Sequence, residues 1–359
     1  MSGYSDRNQP RSAGIISKTD ISAYAARRRT DTQTSDGSEE LSRVMDNTQS
    51  AHRAVAAVVT TYQPDLQTLE AQFARLDGQI DLLLVIDNGS ADSQRVAELV
   101  ARYPSARFIG ATENRGLGWA HNKGLRLALD EGADAVLLLD QDSLPSEDMV
   151  RVLYGALTQQ REQGLQTAAV GARYLGVDQG HPSYFVQFSR LHFRRCFCSQ
   201  ASAGRLIRAD MLISSGTLFA REALETVGLM EEGLFIDHLD TEWFLRAGAR
   251  GWQSFGVCDA LMDHGLGDRT VRVWLGRWRY LPVHKPFRYY YVYRNSLLLW
   301  RRDYPSRRWK HTDMLRLAKM FFVFAFFTGQ PLNNMAMMFR GIRDGLSGKT
   351  GRLQQDLLP

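Results

Sequence analysis

The sequence predicts an α/β fold: a Rossmann-like, mostly parallel sheet with helices on both faces, followed by a basic helical C-terminal extension. Three observations predict it. Apolar, β-branched runs recur at residues 54–61, 82–86 and 135–139, as expected of strands buried on both faces. Between them, apolar residues fall at helical spacing, as in Leu66, Leu69, Phe73 and Leu76; strands alternating with helices in this way build βαβ units. Charge is also split along the chain. Residues 271–359 carry 17 Lys+Arg against 4 Asp+Glu, a net of +13, which leaves −8 for residues 1–270 of a chain whose total is +5. A basic part attached to an acidic remainder points to an anionic surface as partner.

The elements follow in order. Residues 1–50 are polar, and their seven basic and seven acidic residues cancel; such a segment is expected to be a disordered tail, with room for a short helix over 21–29. Residues 54–61 (AVAAVVTT) read as a buried strand that Pro64 ends, and a helix follows. Residues 82–86 are a second strand, 96–103 a helix, 107–109 a short strand, 116–130 a helix and 135–139 a strand. Residues 149–159 look helical and 168–173 extended, and 184–198 alternate loosely like strands of an acceptor-side sheet. Residues 212–220 (LISSGTLFA) read as a strand, 221–227 as the helix after it, 241–249 as a helix and 254–259 as a final core strand. Helical periodicity returns at 289–300 and 315–327. The domains expected are a tail (1–50), an α/β domain (51–270, with a Rossmann-like nucleotide-binding part at 54–145 and a second part at 146–270) and a helical region (271–359).

At 359 residues, 44% hydrophobic and 23% charged, the chain is globular and long enough for one large domain or two. Its cysteines are Cys196, Cys198 and Cys258. An odd count without a CxxC pair argues against a disulfide framework or a zinc site. The N-terminus lacks the apolar stretch of a signal peptide. Together these predict a cytoplasmic protein.

Four constellations and one further histidine carry chemistry. Asp140-Gln141-Asp142 follows three leucines at a strand end. Residues i and i+2 point the same way on an extended backbone, so two carboxylates can converge on one hard cation, Mg²⁺ or Mn²⁺; read alone, the pair is an acidic turn. Asp87-Asn88-Gly89-Ser90 also follows a strand and can accept from a base imide or a ribose hydroxyl, or simply turn the chain. In Glu113-Asn114-Arg115-Gly116-Leu117-Gly118, two glycines before a helix allow close backbone approach to an anion, or make a plain cap. Last, Asp237, Asp240 and Glu242 are three acids within six positions. A carboxylate at the start of a helix is held ionised by the dipole and can act as a general base or as an N-cap. His264, beside Gly265, is either a further metal ligand or structural.

In this order the motifs resemble the family 2 inverting glycosyltransferases, which have the GT-A fold, and look closest to bacterial rhamnosyltransferases of O-antigen and related cell-surface glycans. The resemblance covers about residues 54–300. It rests on the motifs above with Thr60-Thr61-Tyr62-Gln63-Pro64, Ser214-Ser215-Gly216-Thr217, residues 235–243 (FIDHLDTEW) and 288–295 (RYYYVYRN).

The resemblance implies roles. Thr60 and Asp87 line the nucleoside pocket, with Asn114, Arg115 and Gly116 nearby. Asp140 faces the ribose or the metal, Asp142 binds the metal, and His264 is the other protein ligand. Asp240 is the base that deprotonates the acceptor. Many relatives have Glu-Asp where this chain has Leu239-Asp240, so Asp237 and Glu242 stay open as substitutes. The implied reaction moves L-rhamnose from dTDP-L-rhamnose to a hydroxyl of a growing cell-surface glycan in one inverting displacement. The basic C-terminal part and its apolar run at 320–328 (MFFVFAFFT), too short to span a bilayer, are expected to dock on the inner face of the cytoplasmic membrane, where a lipid-linked glycan would be the acceptor, or else to pack as a core helix or against a second subunit. Nucleic acid is not an expected partner, and homo-oligomerisation stays open. Competing readings are another donor such as UDP-galactofuranose or a UDP-hexose, a nucleotidyltransferase, and a non-catalytic glycan-binding protein.

Overall fold

The computed structural model describes residues 54–175, 183–189, 192–198, 204–264, 269–274, 278–283, 285–326 and 330–353, with backbone alone at 264–283 and 325–326. The expected tail and the helix over 21–29 lie outside the described residues.

The first half alternates as expected. Strand β1 (Val55–Thr61) leads through α1 (Leu66–Leu76) to β2 (Leu82–Asp87), then α2 (Ser93–Val100), β3 (Ala106–Gly110), α3 (Leu117–Asp130) and β4 (Ala135–Asp140). Every residue of β1 is buried, because β2 and β4 flank it in parallel and helices cover the sheet. The order β3-β2-β1-β4 reverses direction between β1 and β4. Ligands of open α/β sheets bind at such a switch point, outside the carboxyl ends of the strands. The register brings Thr60 beside Asp140 and Thr61 beside Asp87 at that edge.

The second half extends the same sheet. Its elements are β5 (Ser143–Pro145), α4 (Met149–Glu162), β6 (Thr167–Leu175), the hairpin β7 (Tyr184–Phe188) and β8 (Phe193–Phe197), and β9 (Leu206–Ala209). Then come β10 (Thr217–Ala220), α5 (Arg221–Val227), α6 (Leu239–Ala249) and β11 (Gln253–His264). β10 runs antiparallel between β4 and β6, and β11 lies parallel to β6. The expected strand over 212–220 is confined to Thr217–Ala220, since Ser214 to Gly216 form a turn with Gly216 left-handed at φ 74°. The expected strand over 254–259 extends to His264, past a register shift after Val257 that lets it bend and pair with β5. It is also not the last strand. β12 (Arg269–Trp274) and β13 (Trp278–Val283) form a separate hairpin, so the region after 270 is not wholly helical.

Three helices close the chain: α7 (Pro286–Trp300), α8 (Arg307–Phe326) and α9 (Pro331–Leu346). α7 is buried along nearly its whole length. α9 packs on it backbone to backbone. A Cβ on Gly341 would stand 2.4 Å from the Tyr290 carbonyl, and one on Gly345 2.8 Å from the Arg294 carbonyl, so neither position accepts a side chain without the helices separating.

The cysteine expectation needs correction. Cys198 and Cys258 are joined in a disulfide, 60 residues apart in sequence, and Cys196 is free. Spacing arguments weigh local pairs; here the fold brings the end of β8 against the middle of β11. No described helix is long and apolar enough to cross a membrane.

Candidate active site

The site is built at the carboxyl edge of β1, β2 and β4. The Asp87 side chain is wholly buried and fixes the loop behind the pocket. It accepts from Thr61 Oγ1 at 2.8 Å, Ser90 N at 2.9 Å and Ser90 Oγ at 2.6 Å. Next to it, Asn88, also buried, joins the third motif. Its Oδ1 accepts from Arg115 N at 2.9 Å and its Nδ2 donates to Asn114 Oδ1 at 3.2 Å. Asn114 Oδ1 also accepts from Gly116 N at 3.0 Å. The Arg115 guanidinium stacks over Trp119. Thr60 and Asp87 thus lie at the ends of β1 and β2, with Asn114 and Arg115 in the loop before α3; Asp87, expected to line the pocket, is spent on Thr61 and Ser90 behind it.

A cleft of about 230 Å³ opens beside them, lined by Thr60, Thr61, Tyr62, Asn88, Leu117, Asp140, Gln141 and Asp142. Asp140 is half-buried and Asp142 exposed. Two residues unforeseen in sequence hold this turn. Gln72, on α1, donates to the carbonyls of Asp140 (2.7 Å) and Ser143 (2.6 Å). Ser215 Oγ accepts from Asp140 N at 2.9 Å and bonds Ser143 Oγ at 2.7 Å. Gln72 had one sequence signal: it is a polar residue on the buried stripe of Leu69, Phe73 and Leu76. The Ser214-Ser215-Gly216-Thr217 motif, without a role in sequence, thus supports the acidic turn. Asp140 and Asp142 give an oxygen donor set open to a cleft. That suits a hard divalent cation, which takes its remaining ligands from phosphate and water. Among the described residues no group of three His, Cys, Asp or Glu forms a fuller cage. The backbone of His264 pairs with Ser143, one residue past Asp142; its side chain is outside the description.

Asp240 lies in the first turn of α6 and is half-buried. Its Oδ1 accepts from Thr241 N at 2.6 Å. Burial pushes its carboxyl up to about 6, against the pull of the Thr241 hydrogen bonds and with added push from the Asp237 and Asp140 carboxylates. The helix start was expected to hold this group ionised; desolvation wins instead and poises it near neutrality. Tyr174, at the end of β6, lies in the field of both Asp240 and Asp140, and burial first, then those two charges, raises its phenol. Sequence reasoning missed Tyr174, which sits one residue past the strand predicted there.

The other two acids of the cluster are committed elsewhere. Glu242 is buried, bonded by Arg246 Nε at 2.7 Å and Tyr304 OH at 2.8 Å. Asp237 is ion-paired with Arg288. The chain before Asp240 is contorted: Phe235, Asp237 and His238 all have positive φ, at 66°, 62° and 64°. Each such residue costs roughly 1–3 kcal/mol and persists only where its surroundings over-determine it. α7 supplies the restraint. Asn295 Nδ2 donates to the carbonyls of Leu234, Ile236 and Asp237 at 2.8–3.0 Å. Arg294 Nη2 reaches the Leu234 carbonyl at 2.8 Å. Ser296 Oγ meets His238 Nε2 at 3.1 Å, and Arg316 of α8 meets the same nitrogen at 3.1 Å. The RYYYVYRN motif is thus a clamp on the loop that presents Asp240.

Gly116 joins the two halves of the site. Leu117 N donates to the Phe235 carbonyl at 2.7 Å. A Cβ on Gly116, whose φ is 95°, would lie 2.6 Å from the Phe235 ring. The close approach expected here is therefore made by the chain's own loop, whatever a ligand adds.

The chain belongs to glycosyl transferase family 2, and it is a glycosyltransferase. The model of that family matches residues 57–228. The chain is 31% identical over 250 residues to a galactofuranosyltransferase, GlfT1, of Mycobacterium tuberculosis, covering 67% of this chain and 79% of that protein. It is 29% identical over 251 residues to the dTDP-rhamnosyl transferase RfbF of Shigella flexneri, covering 70% of this chain and 81% of that one. Among solved structures, GalNAc-T7 with UDP, GalNAc and Mn²⁺ superposes with a TM-score of 0.53 at 12% identity, over 82% of this chain and 56% of that one. S. aureus TarS 1-349 in complex with UDP-GlcNAc superposes with a TM-score of 0.50 at 15% identity, over 82% and 81%. These likenesses show the GT-A fold.

Proposed function

We propose that the protein transfers L-rhamnose from dTDP-L-rhamnose to a hydroxyl of a growing cell-surface glycan, such as an O-antigen, with inversion at the anomeric carbon. The observation that carries the mechanism is the solitary state of Asp240. Of the three clustered acids it alone has no cationic partner among the described contacts, and its proton affinity is tuned near the pH at which it must work.

In this reading Thr60, Asp87, Asn114, Arg115 and Gly116 form the nucleotide side of the cleft. Asp140 and Asp142, with His264, hold Mg²⁺ or Mn²⁺. When bound, the cation supplies positive charge against the leaving diphosphate. Asp240 takes the proton of the acceptor hydroxyl as its oxygen bonds to the anomeric carbon. The bond from that carbon to the diphosphate oxygen breaks, and the leaving group keeps the electron pair. One base suffices, because no covalent glycosyl intermediate forms. The acceptor is a lipid-linked glycan, and the enzyme works at the inner face of the cytoplasmic membrane.

The donor assignment is supported by the likeness to RfbF; the similar likeness to GlfT1 favours UDP-galactofuranose as the second reading. Calorimetric titration of both sugar nucleotides, with Mn²⁺ and with excess EDTA, separates them. Tighter, metal-dependent binding of dTDP-rhamnose, lost in Asp142→Asn, is the expected result. Tighter binding of UDP-galactofuranose that also supports transfer moves the assignment, and undiminished turnover in EDTA removes the metal.

A further inference from the structure

We infer that the outer face of α8 and α9 is a docking surface for an anionic lipid bilayer. This deepens the proposed location by naming the surface, and it rests on that reading only for what the acceptor is. The two helices divide their apolar residues between two faces. Leu317, Val323, Phe324, Met337 and Met338 are buried against the body. Met314, Phe322, Leu332, Phe339 and Leu346 face outward, with Phe322 55%, Phe339 57% and Leu332 75% exposed. Phe321 of α8 meets the outward Phe339 of α9 edge-on at 5.6 Å, so the exposed apolar residues of the two helices adjoin at this contact. Contiguous apolar patches of this kind mark interaction sites.

Charge says what covers it. The two helices contain only two acidic residues, Asp313 and Asp344, and both are buried and paired inward. Asp313 is held by Arg316 and by Trp300 Nε1 at 3.0 Å. Asp344 is held by Arg343, Lys349 and Tyr290. The outer face therefore shows Arg307, Arg308 and Lys319 with neither carboxylate of these helices among them. A second copy presenting the same face would meet it with the same sign of charge and be repelled. An anionic bilayer is complementary on both counts: aromatic and leucine side chains enter the headgroup boundary while cations meet lipid phosphate. α8 also links this surface to the reaction. Its outer edge carries Met314 and Phe322, while on its inner edge Arg316, held by Asp313, meets His238, two residues before Asp240. One helix diameter, about 10 Å, thus separates the lipid from the loop that presents the base.

Flotation of the full chain with vesicles tests this. Vesicles of equal parts phosphatidylglycerol and phosphatidylcholine should carry the protein at low salt, progressively less as salt rises, and phosphatidylcholine alone should not. Phe322→Asp with Phe339→Asp should abolish flotation, and Arg307→Ala with Lys319→Ala should weaken it about thirtyfold. All four positions are exposed and outside the candidate site, so donor hydrolysis should stay at wild-type levels in both double variants and melting within a few degrees of it. No flotation with the anionic vesicles overturns the inference. So does undiminished flotation of the phenylalanine variant. A concentration-dependent dimer in sedimentation that this variant dissociates would instead assign the face to a second copy. Donor hydrolysis, read on the same samples, reports on the transferase separately: hydrolysis without flotation refutes the docking alone, and flotation without hydrolysis of any sugar nucleotide refutes the transferase reading alone.

Discussion

Asp240 shows how a single carboxylate acquires a function from its surroundings. Its folded pKa of about 6 stands above the ordinary 3.8 because burial disfavours the charge. Two consequences have opposite signs. The base must be ionised to act, so kcat/KM should rise roughly tenfold per pH unit up to about pH 6 and then level. Folding meanwhile favours the protonated form. Its stabilising contribution is complete below about pH 4 and is lost as pH rises through 6. Asp240→Asn should therefore melt above the wild type at about pH 7.5, a gap that closes toward pH 4, while kcat falls by roughly 10²–10⁴ and nucleotide affinity is kept. A variant that melts lower at neutral pH, or turns over normally, would remove Asp240 from the role. The sequence made Asp240 visible by its place in a motif, but not its proton affinity. That depends on burial and on Asp140, a hundred residues away, which no local pattern encodes.

At the scale of elements, the parallel strands were legible because a strand buried on both faces must be apolar throughout. The residues of β1, β2 and β4 obey that rule. The strand predicted over 212–220 was overdrawn because its first part is apolar for another reason: Leu212 packs over Gly171 in β6 while the backbone turns. The sequence could flag α7 as a motif without saying what it does, because its partners are backbone carbonyls, which leave no trace in side-chain pattern. Asn295 bonds three of them in a loop with three left-handed residues. Asn295→Ala would take this donor from the Ile236 and Asp237 carbonyls, while Leu234 keeps Arg294, at about 1–3 kcal/mol each if no water enters. The loop should then relax, lowering kcat at least tenfold with the donor Kd unchanged, and lowering Tm by several degrees. Stopped-flow donor binding beside steady-state kinetics separates the two. A variant that loses donor affinity in proportion to kcat would show that the clamp serves the nucleotide side instead.

On the scale of the whole molecule, the basic C-terminal part could be a detachable anchor or an integral layer of the fold. Residues 53–359 form one compact unit, and the contacts favour the integral layer. Tyr289, Tyr293 and Leu297 of α7 share a buried cluster with Leu317, Val323 and Phe324 of α8 and Met338 of α9. Arg294, fully buried, donates to the Gly351 carbonyl beyond α9 as well as to Leu234 in the base loop. Removing α8 and α9 would uncover that cluster, strip His238 of Arg316 and leave a buried guanidinium short of an acceptor. Large apolar truncations of a core cost roughly 2–5 kcal/mol per side chain, and several would be lost at once. A chain ending at Trp300 should therefore aggregate or melt far below the full chain, and should fail to turn over donor even with a soluble acceptor and no membrane present. The phenylalanine double variant on the outer face should do neither. Measured side by side, by melting and by turnover in detergent-free buffer, the pair separates the two duties of these helices. If the shortened chain folds and turns over like the full one, α8 and α9 are an appendage, and the link from the lipid-facing surface to the catalytic loop is lost with them.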